Sequence, residues 1–204
     1  MMEWWLCLLF ALVLLAAVFL LFYKFVFLRD PVRSIPPGRS VVSPADGKVI
    51  EVLSITSGSA GVVKGFKNIS LSCSEVGYPC SLVSIFMSPF DVHVNRAPFD
   101  GKVVGISYRK GSFLPANSLQ ALQNERNEVL LNTSYGRIKV VQIAGFIARR
   151  IECWVKKGDG VTKGEKFGRI NLGSQAVLIL PKTLKIRVHK GQSVKAGETV
   201  IAEP

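Results

Sequence analysis

The chain has 204 residues, with 26 lysines and arginines against 14 aspartates and glutamates, for a formal net charge of +12. That length leaves room for one soluble domain of ordinary size and a short appendage. Four cysteines without a Cys-x-x-Cys pair, and only two histidines, argue against a zinc site.

The appendage comes first. No residue from Trp4 to Tyr23 is charged, which matches the roughly 20 apolar residues a helix needs to cross about 30 Å of hydrocarbon. Trp4, Trp5 and Tyr23 stand at its ends, where interfacial aromatics belong. A cleaved signal peptide is the rival, but Glu3 and no lysine or arginine precedes the span, and its apolar core is too long. Lys24, Arg29 and Arg33 follow, so the positive-inside bias puts the rest of the chain on the cytoplasmic side of the inner (cell) membrane.

Charges within 1–30 cancel, so the basic excess belongs to the soluble part. Such a domain beside a bilayer is drawn to anionic headgroups. Nucleic acid is not expected as a partner, because the basic residues are scattered and form no helix-turn-helix, zinc-finger or RNP pattern. Cys73 and Cys80 could bridge, but a cytoplasmic location favours free thiols.

Pro31, Pro36, Pro37 and Gly38 make 31–40 a linker. From Val41 onward the pattern is one of short strands between Gly, Asp and Asn turns: 49–53, 69–72, 82–86, 103–106, 129–131, 138–143 and 177–180. Only Ser118 to Asn127 favours a helix, as a short connector. Two echoes run through this region. Pro44-Ala45-Asp46-Gly47-Lys48-Val49 resembles Pro98-Phe99-Asp100-Gly101-Lys102-Val103, where Asp-Gly suits a tight turn before a strand. Val155, Gly158, Val161 and Gly164 recur as Val188, Gly191, Val194 and Gly197. The expected fold is mainly β, a flattened β-sandwich with strand-turn repeats like those of biotinyl and lipoyl carrier domains, plus one N-terminal transmembrane helix.

Gly173-Ser174 lies between the two glycine repeats. A serine can attack the carbonyl that precedes it, and glycine there puts no side chain in the way; the serine can then become a pyruvoyl group, an electrophilic ketone. The same dipeptide is also a common turn.

Five segments carry a family resemblance: Ser43 to Val49, Phe90 to Pro98, Asn124 to Asn127, Gln142 to Ile151, and Leu172-Gly173-Ser174. They occur in the order and at the spacing found in phosphatidylserine decarboxylase proenzymes, and the chain most resembles the short archaeal-type subfamily, whose post-membrane segment Phe27 to Arg33 also looks like. The resemblance implies a decarboxylase domain over 41–204, cut by its own Ser174 into a large subunit, 1–173, and a small one, 174–204, that remain together. It implies a covalent pyruvoyl group made from Ser174 as the cofactor, with neither metal nor pyridoxal phosphate, and decarboxylation of phosphatidylserine to phosphatidylethanolamine.

By the same resemblance His93 transfers protons, which suits an imidazole, and Asp46 orients it. Longer members have a second histidine three positions on, where this chain has Arg96. Arg149 and Arg150 suit a lipid phosphate; neighbours on a strand point to opposite faces, so at most one reaches a site, and a surface role for both is the alternative. Gly111 to Ala116, with Phe113 and Leu114, reads as an apolar loop able to touch the bilayer. His189 matches no segment of the family and reads as structural. A different class of protein shares the layout of anchor plus β domain: a non-enzymatic membrane-tethered adaptor or carrier, with Lys48 or Lys102 as its modifiable lysine.

Overall fold

A computed structural model describes residues 4–56, 73–112, 114–145, 150–171 and 173–204. The expected strand at 69–72, Phe113, Arg149 and Leu172 lie outside the described residues. The uncharged N-terminal run forms helix α1, Trp4–Phe22, none of it buried, and widens into a π-helical turn, Tyr23–Phe27. Together they make one helix long and apolar enough to cross a membrane.

The rest is β structure, as the alternation predicts. In chain order the strands are β1 Val41–Val42, β2 Gly47–Ile55, β3 Cys80–Met87, β4 Val94–Arg96, β5 Gly101–Arg109, β6 Arg126–Thr133 and β7 Gly136–Ile143. They continue with β8 Ile151–Cys153, β9 Gly160–Val161, β10 Lys166–Ile170, β11 Ser174–Pro181, β12 Lys185–Ile186, β13 Ser193–Val194 and β14 Val200–Glu203. A large sheet has the order β13-β2-β3-β11-β7-β6-β5-β9, and two small sheets, β1-β14-β12 and β4-β10-β8, accompany it. The helical connector is shorter than its composition suggests, a 3₁₀ turn at Leu119–Gln123. From Arg126 the backbone is already pairing with β5 and β7, and that tertiary pairing overrides local helix propensity.

Strand β11 runs through the middle of the large sheet, in register with β3 over its whole length and with β7 from Gln175 to Ile179. Its side chains alternate between two cores. Ala176, Leu178 and Leu180 join the main core with Val83, Ile85, Val140, Phe167 and Ile170. Val177 and Ile179 join a second core with Leu82, Leu122 and Val141. A strand buried on both faces reads as a continuous apolar run, which is why 176–180 contains no polar residue.

The two sequence echoes combine into two matching halves. Each Asp-Gly opens a strand, β2 or β5, and each glycine repeat supplies the short strand beside it, β13 on β2 and β9 on β5. The backbone bonds repeat as well: Gly197 N donates to Ser43 O as Gly164 N donates to Ala97 O, and Gly191 N to Val49 O as Gly158 N to Val103 O. Gly158, Gly164, Gly191 and Gly197 all have positive φ, a backbone region glycine enters without steric cost. Gly164 and Gly197 meet at the junction of the halves, where a Cβ on either would fall within 3 Å of the Ile35 side chain.

That isoleucine belongs to a strap. After Phe27 the chain crosses the domain in extended form, held by Asp30 to Arg96 at 2.7 Å, by Asp30 to Lys166, and by Arg33 to Asp46 at 2.9 Å. Lys163 Nζ donates to Gly38 O and Tyr135 Oη to Arg39 O. Burial works against the Asp30 carboxylate, but the Lys166 hydrogen bond and the Arg96 charge outweigh it and hold its pKa below the ordinary value.

Candidate active site

Polar side chains gather where the main core reaches the head of β11. Ser174, the first residue of that strand, is fully buried, and its Oγ lies 3.5 Å from Met87 Sδ, opposite it on β3. Asn95 Nδ2 approaches the same sulfur at 3.9 Å, and Asn95 Oδ1 accepts from Gln142 Nε2 at 2.9 Å. Gln142 Oε1 in turn accepts from Asn127 Nδ2 at 2.9 Å. Gln142 comes so close to β10 that a Cβ on Gly168 would lie 2.8 Å from its Nε2 and 2.3 Å from Glu152 O. These bonds satisfy amides that would otherwise be costly to bury.

His93 stands just before β4, and its backbone is held by β10, four residues before Ser174, where Ile170 N donates to His93 O at 3.2 Å. Its ring is 0% exposed. Nδ1 lies 2.8 Å from the carbonyl oxygen of Asp91. A carbonyl can only accept, so Nδ1 carries the proton and Nε2 keeps its lone pair. Nε2 is buried without a hydrogen-bond partner among the described residues. Burial pushes the imidazole pKa down to about 4, against the pull of the Asp91 carbonyl and carboxylate, and the Arg29 and Arg169 charges lower it further. The ring is therefore neutral near pH 7, with a basic nitrogen available.

Phe27 covers it. The two ring centroids are 4.2 Å apart, and Phe27 is buried. Tyr23 stacks on Phe27, and Phe22 meets the edge of Phe90, which is 69% exposed. The helix thus leaves its apolar span directly over His93.

The remaining sequence-derived candidates are distributed around this centre. Gly173 has φ +65°, the left-handed region in which a side chain is strained, and Asn171 N, two residues earlier, donates to Arg150 O. Asp46 places its carboxylate on Arg33 and on the backbone N–H of Ala196, at 2.7 Å, while the His93 ring is held by Asp91 O. The Arg150 side chain is 77% exposed and lies 3.7 Å from Glu152. Arg96 clasps the strap, donating to Asp30, to Gly164 O and to Pro31 O. His189 is exposed in the turn closed by Gln192. In the 111–116 loop, Leu114 is clamped on both its N–H and its carbonyl by the Asn124 side chain, at 2.7 Å each.

Sequence reasoning did not single out Phe27, Met87, Asn95, Gln142 or Arg169. A signal existed for several. Phe19, Tyr23 and Phe27 keep an i, i+4 aromatic spacing past the end of the span, and Gln142 is an amide inside an apolar strand.

A family model for phosphatidylserine decarboxylase matches residues 20–202 of this chain. The chain belongs to the phosphatidylserine decarboxylase family. A phosphatidylserine decarboxylase proenzyme of Syntrophus aciditrophicus is 49% identical over 176 residues, covering 85% of this chain and 76% of the relative. One from Chlorobium limicola is 41% identical over 191 residues, 93% of this chain and 82% of the relative. A Methanocaldococcus jannaschii protein, named provisionally as an archaetidylserine decarboxylase proenzyme, is 43% identical over 195 residues, covering 92% of this chain and 93% of the relative. The protein is accordingly an enzyme of the decarboxylase kind.

Proposed function

We propose that this decarboxylase cuts itself between Gly173 and Ser174 and then converts phosphatidylserine to phosphatidylethanolamine and carbon dioxide at the surface of the membrane that holds α1. One observation carries the reading: Gly173, in the left-handed region and without a side chain, leads directly into a fully buried serine at the head of β11; His93, whose Nε2 has no hydrogen-bond partner among the described residues, is the base assigned to it.

Ser174 Oγ attacks the Gly173 carbonyl carbon, and His93 Nε2 takes the hydroxyl proton. The C–N bond breaks as the ester forms. Removal of the Ser174 α-proton then expels the Gly173 carboxylate from Cβ, and water replaces the nitrogen, which leaves as ammonia. The residues fit the product, because the new terminus is buried against Met87, whose sulfur Asn95 also approaches, rather than in solvent. When present, the pyruvoyl ketone supplies an electrophile for the substrate amine and a sink for the electron pair that carbon dioxide leaves behind.

His93, neutral at working pH, holds and returns a proton at Nε2. Asp46 is a positioning residue, locking the strap to the domain through Arg33. The two pieces stay together, because β11 lies between β3 and β7 while β13 and β14 pair with β2 and β1. Phe27 seals the site from above, so the substrate headgroup enters at the level where the helix leaves the hydrocarbon. By the positive-inside bias, Lys24, Arg29 and Arg33 support the cytoplasmic face of the inner (cell) membrane for that level and favour an anionic surface.

The reading is tested with the detergent-solubilised full chain and phosphatidylserine carrying a labelled serine carboxylate. Labelled carbon dioxide and phosphatidylethanolamine are expected in equal amounts. Absence of both from a preparation that has cut itself would refute the assignment of substrate.

A further inference from the structure

The cations around the site fall into two groups. Arg33 pairs with Asp46 and Glu198, Arg96 and Lys166 pair with Asp30, and Arg126 and Lys139 share Glu128. Arg29 and Arg169 have no carboxylate partner among the described residues. Arg29 donates to two carbonyl oxygens, Val26 O and Phe90 O, which fix the guanidinium without neutralising it and leave other N–H donors unused. Arg169 is half-buried on β10, opposite Val94 and Glu152. Its guanidinium lies 5.6 Å from the ring centroid of Trp154, and its Nε is buried with no hydrogen bond among the described residues.

Leaving a partly buried charge without a counter-ion costs free energy that an incoming anion would recover. The backbone brings both near His93, since Arg169 pairs with Val94, the next residue, and Arg29 donates to Phe90 O, three residues before it; both charges act on the imidazole. Arg29 follows the end of the helix by two residues, which puts it at headgroup depth.

We propose that Arg29 and Arg169 form the subsite for the phosphodiester of the lipid headgroup, beside His93. The assignment rests on the decarboxylase reading above and names the residues that hold its substrate. Phosphate, rather than the serine carboxylate, is the ligand, because an arginine on the carboxylate would stabilise the charge that must be lost and so oppose reaction. A guanidinium meets two phosphate oxygens with two parallel hydrogen bonds, and Trp154 keeps the Arg169 plane fixed for this.

Calorimetric titration with glycerophosphoethanolamine, a phosphodiester headgroup without a carboxylate, tests the subsite independently of turnover. The full chain is compared with Arg169→Gln, Arg29→Gln and Arg169→Lys, each shown to unfold cooperatively. Loss of one charged hydrogen-bonding group should weaken binding by about tenfold or more in either Gln variant. Arg169→Lys should recover part of the loss. KM for phosphatidylserine should rise in parallel, with kcat changing less. Free serine and inorganic phosphate should compete poorly; competition by either as effective as that of the phosphodiester overturns the proposal. So does headgroup affinity in both Gln variants within about twofold of the unsubstituted chain. An unsubstituted chain that binds the headgroup but releases no carbon dioxide would instead refute the decarboxylase reading and leave the subsite standing.

Discussion

Ser174→Ala is expected to give one uncut chain with no decarboxylase activity. The substitution removes the only hydroxyl adjacent to the Gly173 carbonyl, and with it both the attacking oxygen and the precursor of the ketone. It should do so without disturbing the fold. Among the described residues Ser174 Oγ has one hydrogen-bond partner, Met87 Sδ at 3.5 Å, and no backbone bond of β11 depends on it. The loss of so weak a contact should alter stability by about 1 kcal/mol or less. Denaturing electrophoresis should show one band where the unsubstituted protein shows two, with closely similar thermal unfolding. A cut Ser174→Ala chain would mean that a different peptide bond breaks.

His93→Gln should lower the rate of decarboxylation by about 10²- to 10⁴-fold, the usual contribution of a positioned general acid–base, and should slow self-cleavage as well. Glutamine fills similar space but offers no basic nitrogen at the Nε2 position. A variant that cuts normally but does not decarboxylate would confine His93 to the second reaction.

The same variant should change the acid sensitivity of the fold. The folded imidazole binds its proton only near pH 4, whereas the unfolded one does so near its ordinary value of 6.5. Between those values the unfolded state holds more protons, so stability rises with pH through this window and is lost as pH falls from 6.5 towards 4. The shift corresponds to roughly 3 kcal/mol. Urea midpoints measured at pH 7 and at pH 4 should therefore differ more for the unsubstituted chain than for His93→Gln. Equal differences would mean that the ring is not held neutral by burial.

Local patterns in the sequence account for much of this architecture. The uncharged run became the exposed helix, the apolar run at 176–180 became the doubly buried strand, and the Gly-Ser pair lies at its head. Pairing between distant segments was not legible. The Asp-Gly units and the glycine repeats are visible as two separate echoes, yet nothing local says that β13 lies on β2 and β9 on β5, because strand partners are chosen by packing far apart in the chain. The hold on His93 was hidden for a different reason: its partner is the Asp91 carbonyl, and a backbone acceptor has no residue signature. Asp46 shows the converse. Its place in the shared segment was plain, but its partners, Arg33 on the strap and the Ala196 N–H, depend on how the linker folds back across the domain. The linker prolines suggested a spacer; the ion pairs of Asp30 and Arg33 instead hold the strap against the domain.

The account depends most on the break before Ser174, and the intact mass of the protein after denaturation tests it directly. The prediction is two species. One corresponds to residues 1–173. The other corresponds to residues 174–204, lighter than the unmodified peptide by the ammonia that leaves, with no free amino terminus and with a ketone that borohydride reduces in the presence of an amine. A decarboxylating sample that contains only the continuous chain, with Ser174 unmodified, would contradict it.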